Sequence, residues 1–338
     1  MEQEVSEVCL GTMTFGEQNN QSESFEIMDT AFERGVNFFD TAEMYPIPPN
    51  KSTVHRTEEI IGNWKGFHQN RDKIIMATKV IGPTDFMTWI RNGSPRLDKK
   101  NITLALEESL KRLKTDYIDL YQIHWPSRVT NYFGQLGFKE PKTEQPTPIL
   151  ETLEILDQFV SSGKIKAIGL SNETPWGIMQ FLNEAKNNNL PVVSTVQNPY
   201  SLLNRTYEVG CSEISYREGV KLLSYSPLGF GVLTGKYLEG KDEPTSRLNL
   251  FSQYSRYSNK NAVAATKRYL DLAKSFNLTL TQLALAFCYS RSFMGSTIIG
   301  ATNTAQLIEN IDATEVVFTK ELENKISQIH EDLPNPSP

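Results

Sequence analysis

Asp40, Tyr45, Lys79 and His124 follow one another along this chain, each at or just beyond the end of a short apolar run. Asp40 closes Val36-Asn37-Phe38-Phe39, and Tyr45 comes next in Thr41-Ala42-Glu43-Met44-Tyr45. Lys79 closes Ile74-Ile75-Met76-Ala77-Thr78, and His124 closes Tyr117-Ile118-Asp119-Leu120-Tyr121-Gln122-Ile123. A carboxylate, a phenol, an ammonium and an imidazole gathered in one place make a proton-handling site. None of them is an obvious covalent nucleophile, so the chemistry suggested is proton and hydride transfer. A carbonyl accepting a hydride develops negative charge on oxygen and needs a proton donor and dipoles there. Tyr45 can donate that proton, although a free phenol titrates only near pH ~10. An ammonium beside it favours the tyrosinate and lowers that pKa, a part open to Lys79. Asp40 can pair with Lys79 and keep it charged, and His124 can donate a hydrogen bond that orients the carbonyl. Taken singly, each residue has an ordinary structural role in a turn, a cap or a satisfied hydrogen bond. Four of them at ordered strand ends point to catalysis.

The elements that must position these residues are legible as alternation. Apolar runs at 7–10, 36–40, 74–79, 118–124, 167–171, 194–197, 222–225 and 297–300 read as strands. Amphipathic stretches at 22–33, 101–113, 148–161 and 174–187 read as helices, with Leu104, Leu106, Leu110 and Leu113 close to one face. Thr174-Pro175 places proline at a first helical position, and Thr57 and Asn101 read as N-caps. Eight strands alternating with helices predict an α/β fold, a (β/α)8 TIM barrel, with a doubly wound open sheet as the alternative. Polar residues after nearly every strand favour the barrel, which builds its site at the strand carboxyl ends. No linker-like boundary interrupts the chain, so residues 1–338 read as a single domain. The long connections 81–100, 125–147 and 227–261 all follow strands, and so read as binding loops on the same C-terminal face.

Bulk properties exclude several classes. The 338 residues are 39% hydrophobic and 22% charged, with a net charge of −6 and no basic stripe, so no nucleic-acid partner is expected. No apolar stretch is long enough to span a bilayer, and the acidic start Met1-Glu2-Gln3-Glu4 does not resemble a signal peptide. Cys9, Cys211 and Cys288 have neither zinc-ligand spacing nor the look of a disulfide framework, so a cytoplasmic location is expected. No metal is expected either. A metal-dependent barrel hydrolase needs His/Asp/Glu clusters at strand ends, and His55, His68 and His330 lie away from them.

These segments resemble the aldo-keto reductase superfamily. Asp40-Thr41-Ala42-Glu43-Met44-Tyr45 is similar to its Asp-Thr-Ala-x-x-Tyr segment, and 116–126 and 163–172 are similar to further family signatures. The segments 11–18, 42–46 and 198–205 resemble its Tas-like branch. The resemblance runs from Leu10 to about Asn310 and implies a barrel that binds NADP(H) in extended form. It implies a general acid at Tyr45, supported by Asp40 and Lys79, with His124 and Trp125 beside a small-molecule carbonyl substrate. For the cofactor it implies Gly11, Thr12, Met13 and Asp40 at the first strand ends. Ser171, Asn172 and Gln197 would hold the carboxamide and Tyr225 would stack on the nicotinamide. Ser226, Pro227, Leu228, Gly229, Gly231, Leu233 and Lys236 would wrap the pyrophosphate, the glycines allowing close backbone approach. Gly300, Thr302, Gln306, Glu309 and Asn310 would meet the adenosine.

Two departures from the family pattern stand out. Many relatives carry lysine and arginine at positions like Ala301 and Gln306; here both are uncharged, so a charge for the 2′-phosphate would come from Arg247. The family also begins with a β-hairpin that plugs the barrel floor, and residues 1–8 are too few for it. The floor is then expected to be open, covered by a partner, or closed by the C-terminal segment. Potassium-channel β subunits resemble the same family and act through a partner, so a regulatory binding module is the competing reading. An oligomeric partner is compatible with the sequence without being indicated by it.

Overall fold

The computed structural model describes residues 4–240 and 244–337. Eight parallel strands close into a barrel: β1 (Val8–Gly11), β2 (Phe38–Asp40), β3 (Ile75–Val80), β4 (Ile118–Ile123), β5 (Ile165–Ser171), β6 (Val193–Pro199), β7 (Lys221–Tyr225) and β8 (Met294–Ile299). Closure is made by β1 against β8, with Cys9 opposite Ile298 and Leu10 opposite Ile299. Every residue of β3 and β4 is buried, because both strand faces are covered.

The strand period of two sorts these residues. Cys9, Phe38, Ile75, Ala77, Leu120, Leu223 and Ile298 form one apolar cluster filling the barrel. A much larger cluster, including Leu10, Phe39, Met76 and Tyr121, lies between the strands and the surrounding helices. Continuing the inward alternation upward gives Asp40 after Phe38, Lys79 after Ala77, and Gln122 after Leu120. The barrel interior is therefore apolar below and polar at its C-terminal end.

Helices are started by local capping chemistry. Asn20 and Glu23 form a capping box before helix Gln21–Glu33, and Thr279 with Gln282 does the same before helix Leu280–Tyr289. Thr174 caps helix Pro175–Asn188 with Pro175 at the first position, as expected. Two expected caps differ. Asp98, not Asn101, caps helix Lys99–Leu113 and accepts from the Asn101 backbone amide at 2.9 Å, since the capping oxygen must precede the amide it receives by three residues. Helix Arg56–Asn63 starts after His55, and Thr57 lies inside it, its hydroxyl donating to the Phe15 carbonyl at 2.7 Å. Leu104 is 46% exposed; the buried face of its helix is Ile102, Ala105, Leu106, Ser109, Leu110 and Leu113.

At the barrel floor, Val5 packs against the interior cluster, and the Ser6 carbonyl accepts from Ser296 at 2.9 Å. Among the described residues no hairpin precedes β1. The C-terminal segment does not close the floor. Asn335 accepts from the Arg205 amide at 2.7 Å and the Ser337 amide donates to the Leu203 carbonyl at 3.0 Å, both beyond the end of β6. The three long connections carry only short elements: Arg91–Gly93 in the first, none in the second, and Gly229–Thr234, Lys236–Glu239 and Arg247–Leu250 in the third. Among the described residues no helix is long and apolar enough to cross a membrane.

Helices Arg56–Asn63 and Lys99–Leu113 pack tightly at Gly62, where an added Cβ would stand 2.0 Å from the Arg112 carbonyl oxygen. Helix propensity alone favours alanine over glycine by roughly 1 kcal/mol. The backbone clash opposes it, and overpacking of this kind costs about 1–3 kcal/mol or more. Gly62→Ala is expected to lower the chemical unfolding midpoint; a raised midpoint would contradict this helix packing.

Candidate active site

Asp40 and Lys79 meet at the polar end of the barrel. The Lys79 ammonium, fully buried, donates to Asp40 Oδ2 at 2.6 Å and to the Thr41 carbonyl at 2.7 Å. Burial alone would pull the lysine pKa down. The Asp40 carboxylate beside it pushes it up, and the net direction is up, so Lys79 stays charged. The second carboxylate oxygen accepts from Gln122 Nε2 at 3.0 Å and from Gln197 Nε2 at 2.8 Å, and Gln197 also donates to Gln122 Oε1 at 3.1 Å. Thr12 donates to the Asp40 carbonyl at 2.8 Å and ties the end of β1 to that of β2.

Tyr45 stands above this pair. Its position follows from the 41–47 segment: the Tyr45 amide turns back to Ala42 O at 3.1 Å, and the Ile47 amide binds Met13 O at 2.9 Å. Buried Glu43 anchors the next loop by accepting from the Ile81 amide at 2.7 Å and from Arg91 Nη2 at 3.0 Å. The Tyr45 ring packs in an apolar cluster with Met44, Ile81, Met87, Ile90 and Trp125; Met13, Trp89 and Tyr132 pack around it. The Lys79 ammonium lies 5.0 Å from the ring centroid. Burial raises the phenol pKa more than Lys79 and Arg247 lower it, so the net direction is up, opposite to the expectation from the ammonium alone. Tyr45 is accordingly protonated at neutral pH.

His124 packs edge-on to Tyr45 with ring centroids 5.8 Å apart and tilted on Trp125 at 5.1 Å. Burial and the nearby Lys79 charge push its pKa well down, so the imidazole is neutral and carries one N–H. Its buried Nδ1 has no protein partner. Trp125 is buried, its indole N–H donating to the Pro83 carbonyl at 2.9 Å, and Phe133 covers it.

A connected polar group lies beside His124. Asn172, in the left-handed conformation at φ 53°, donates to the His124 carbonyl at 2.9 Å and to Ser171 at 3.0 Å. The Tyr225 hydroxyl donates to Asn172 Oδ1 at 2.7 Å. Beyond it, Ser226, Gly229 and Gly231 all have positive φ, and Pro227, Gly229 and Leu233 are buried while Leu228 packs against the main core. A Cβ on Gly231 would stand 3.4 Å from Lys236 Nζ, so the glycine leaves room beside that ammonium. Arg247 lies between Phe230 and Tyr254, 5.0 and 5.1 Å from their centroids, with Nε buried and unpartnered. Its charge favours the ionised form of the Tyr45 phenol, so it lies within electrostatic reach of the catalytic end. After β8, Gln306 Oε1 accepts from the Thr302 amide at 3.0 Å, Glu309 accepts from Thr279 at 2.8 Å, and Asn310 donates to the Gly300 carbonyl at 3.3 Å. Beside Gly300 the space is open, whereas at Gly11 a Cβ would stand 2.7 Å from Ile298.

The strand ends thus gather Asp40, Tyr45, Lys79, His124, Trp125 and Gln197 closely, with Ser171, Asn172 and Tyr225 joined to them. The Thr302–Asn310 group forms its own cluster after β8. The residues suit an elongated ligand bearing phosphates. Arg247 has a buried Nε without a partner, Lys236 flanks a positive-φ loop, and helix Thr304–Asp312 opens after open space at Gly300. Among the described residues no group of His, Cys, Asp and Glu is placed to hold a metal ion. Sequence reasoning missed Gln122, which reads as one more strand residue. Its inward register with Leu120 was the available signal, together with its partner Gly169 on the adjacent strand β5, where a Cβ would stand 3.0 Å from Gln122 Cγ.

Over residues 7–331 the chain matches the sequence family described as the aldo/keto reductase family. It is 45% identical over 335 residues to protein tas of Escherichia coli (strain K12), covering 99% of this chain and 97% of that protein. It is 40% identical over 273 residues to an aldo-keto reductase of Babesia bovis, covering 76% of this chain and 96% of that one. It is 30% identical over 345 residues to a probable voltage-gated potassium channel subunit beta of Oryza sativa subsp. japonica, covering 98% and 94%.

Replacing Gln122 by leucine removes one donor from the buried Asp40 carboxylate and strands an amide hydrogen of Gln197. An unpaired buried polar group costs about 1–3 kcal/mol. Gln122→Leu is expected to unfold at correspondingly lower urea; an unchanged midpoint would show that the two amides do not jointly hold Asp40.

Proposed function

This chain belongs to the aldo/keto reductase family of oxidoreductases, and we propose that it reduces aldehydes or ketones to alcohols with NADP(H). The observation that carries this reading is the buried Asp40–Lys79 pair with a protonated phenol above it and a neutral imidazole alongside. Tyr45 is the general acid. Its burial keeps the proton on the phenol until an oxygen bearing developing negative charge takes it. The Lys79 ammonium then stabilises the tyrosinate left behind, in a dry site where that charge acts strongly. Asp40 holds the ammonium in place. His124 donates its single N–H to the carbonyl oxygen and fixes the orientation of the substrate, while Trp125 excludes water from one side.

The nicotinamide, when bound, supplies the hydride. Ser171, Asn172 and Gln197 would hold its carboxamide and Tyr225 its ring. The 226–236 segment would hold the pyrophosphate, Thr302, Gln306, Glu309 and Asn310 the adenosine. Arg247, with its Nε buried and unpartnered, is the cation for which a phosphate is the fitting partner, and its contact with the 2′-phosphate would favour NADP over NAD.

The test is NADPH oxidation in the presence of a reactive aldehyde. Tyr45→Phe keeps the ring and removes the proton donor, so turnover is expected to fall about 10² to 10⁴-fold. NADPH affinity, read by fluorescence titration, is expected to stay near wild type. Near-normal turnover by this variant would assign the proton to another group. Cofactor binding by the wild type without turnover of any carbonyl would favour the regulatory reading instead.

A further inference from the structure

Gln122 touches Gln197 as well as Asp40, and the direction of each hydrogen bond in this triangle is fixed. The Asp40 carboxylate, paired with the Lys79 ammonium at 2.6 Å, has only lone pairs to offer. The amide atoms that face its Oδ1 are therefore nitrogens, Gln122 Nε2 at 3.0 Å and Gln197 Nε2 at 2.8 Å. That turns Gln122 Oε1 toward Gln197, where it accepts the second Nε2 hydrogen at 3.1 Å. Both hydrogens of the Gln197 amide are then committed. Its Oε1 is left as an acceptor, and among the described residues no protein group donates to it.

The contact crosses a strand. Gln122 lies on β4 and Gln197 on β6, with β5 between them. The β5 residue in register with Gln122 is Gly169, where an added Cβ would stand 2.7 Å from Thr195 Oγ1 and 3.0 Å from Gln122 Cγ. Glycine keeps the inner face of β5 clear, so the two buried amides meet across it. The neighbours of Gln197 have no donor to spare. Ser171 gives its hydrogen to the Gln197 carbonyl at 2.9 Å, and Asn172 Nδ2 gives its two to the His124 carbonyl and to Ser171. Asn172 Oδ1 already accepts from Tyr225 at 2.7 Å, so Gln197 Oε1 is the unclaimed acceptor of the three residues.

We propose that Gln122 is a positioning residue for cofactor selection. It holds the Gln197 amide with its oxygen presented, so the site calls for a ring substituent that brings an N–H donor, a carboxamide, and rejects one that brings none. With Asp40 alone to hold it, Gln197 keeps a single N–H contact and is free to swing about it. The inference rests on the nicotinamide-binding reading of Ser171, Asn172 and Gln197 above and adds what makes that reading selective.

The test compares the affinities of NADP+ and its 3-acetylpyridine analogue, in which a methyl group replaces the amide nitrogen, by quenching of protein fluorescence. No carbonyl substrate is present, so binding is read apart from turnover. The wild type is expected to prefer NADP+ by roughly 10-fold, because a site built to hydrogen-bond a donor rejects the ring that lacks it. Gln122→Met is unbranched beside Gly169 but has no amide. It is expected to bring the ratio to within about 3-fold, with NADP+ losing affinity and the analogue keeping it. Gln122→Glu keeps an oxygen for Gln197, and its protonated carboxyl still donates to Asp40. Its ratio is expected to be near wild type at low pH and to fall as the carboxyl ionises against Asp40, while the wild-type ratio stays level. Equal losses on both nucleotides in Gln122→Met, an unchanged ratio there, or a Gln122→Glu ratio that does not follow pH overturns the proposal and leaves Gln122 as a support for Asp40 alone. A wild type that binds both nucleotides equally overturns it too, and one that binds neither overturns the nucleotide-binding reading on which it rests.

Discussion

An ammonium and a carboxylate buried side by side are expensive to desolvate, and a buried pair persists only when its remaining hydrogen-bonding capacity is satisfied. The Asp40–Lys79 pair sets that demand here, and the surrounding structure answers it. The Thr41 carbonyl takes a second ammonium proton, and the Gln122 and Gln197 amides converge on the far carboxylate oxygen. These groups come from the ends of β2, β3, β4 and β6, so the network draws on four of the eight strands. Closure of the eight strands brings these distant residues together, and the apolar filling below them keeps water out.

The protonation states around the pair follow from the same burial. A dry environment disfavours whichever form is charged, and so holds Tyr45 as phenol and His124 as imidazole. Lys79 escapes this trend because Asp40 is in contact with it. One cation, one neutral acid and one neutral hydrogen-bond donor are thereby arranged around a common space. Their division of roles comes from position, since a histidine or tyrosine on the surface would titrate near its ordinary value.

The strand ends were legible in the sequence because parallel strands buried on both faces read as continuous apolar runs, and a polar residue closing such a run is conspicuous. All eight strands were located on this basis, and the family resemblance of the Asp40–Tyr45 segment agrees with the match over residues 7–331. What escaped depends on three-dimensional partners. Gln122 sits inside an apolar run, and its significance appears only when Asp40 and Gln197 are placed against it. The upward pKa of Tyr45 was misjudged because a neighbouring ammonium can be guessed from a motif, whereas the depth of burial cannot. Thr57 and Asn101 have good capping side chains, but the helices begin one to three residues away from them, as the loop anchoring at Phe15 and the Asp98 side chain dictate.

If Asp40 and Lys79 act as one unit, removing either should do most of the damage that removing both can do. The decisive measurement is kcat on a reactive aldehyde for Lys79→Met, Asp40→Asn and the double variant, each checked for NADPH binding. The account expects the double variant to be little slower than the slower single variant, a strongly non-additive cycle. Losses that add fully in log kcat would contradict it, because they would mean that the carboxylate and the ammonium serve the reaction independently.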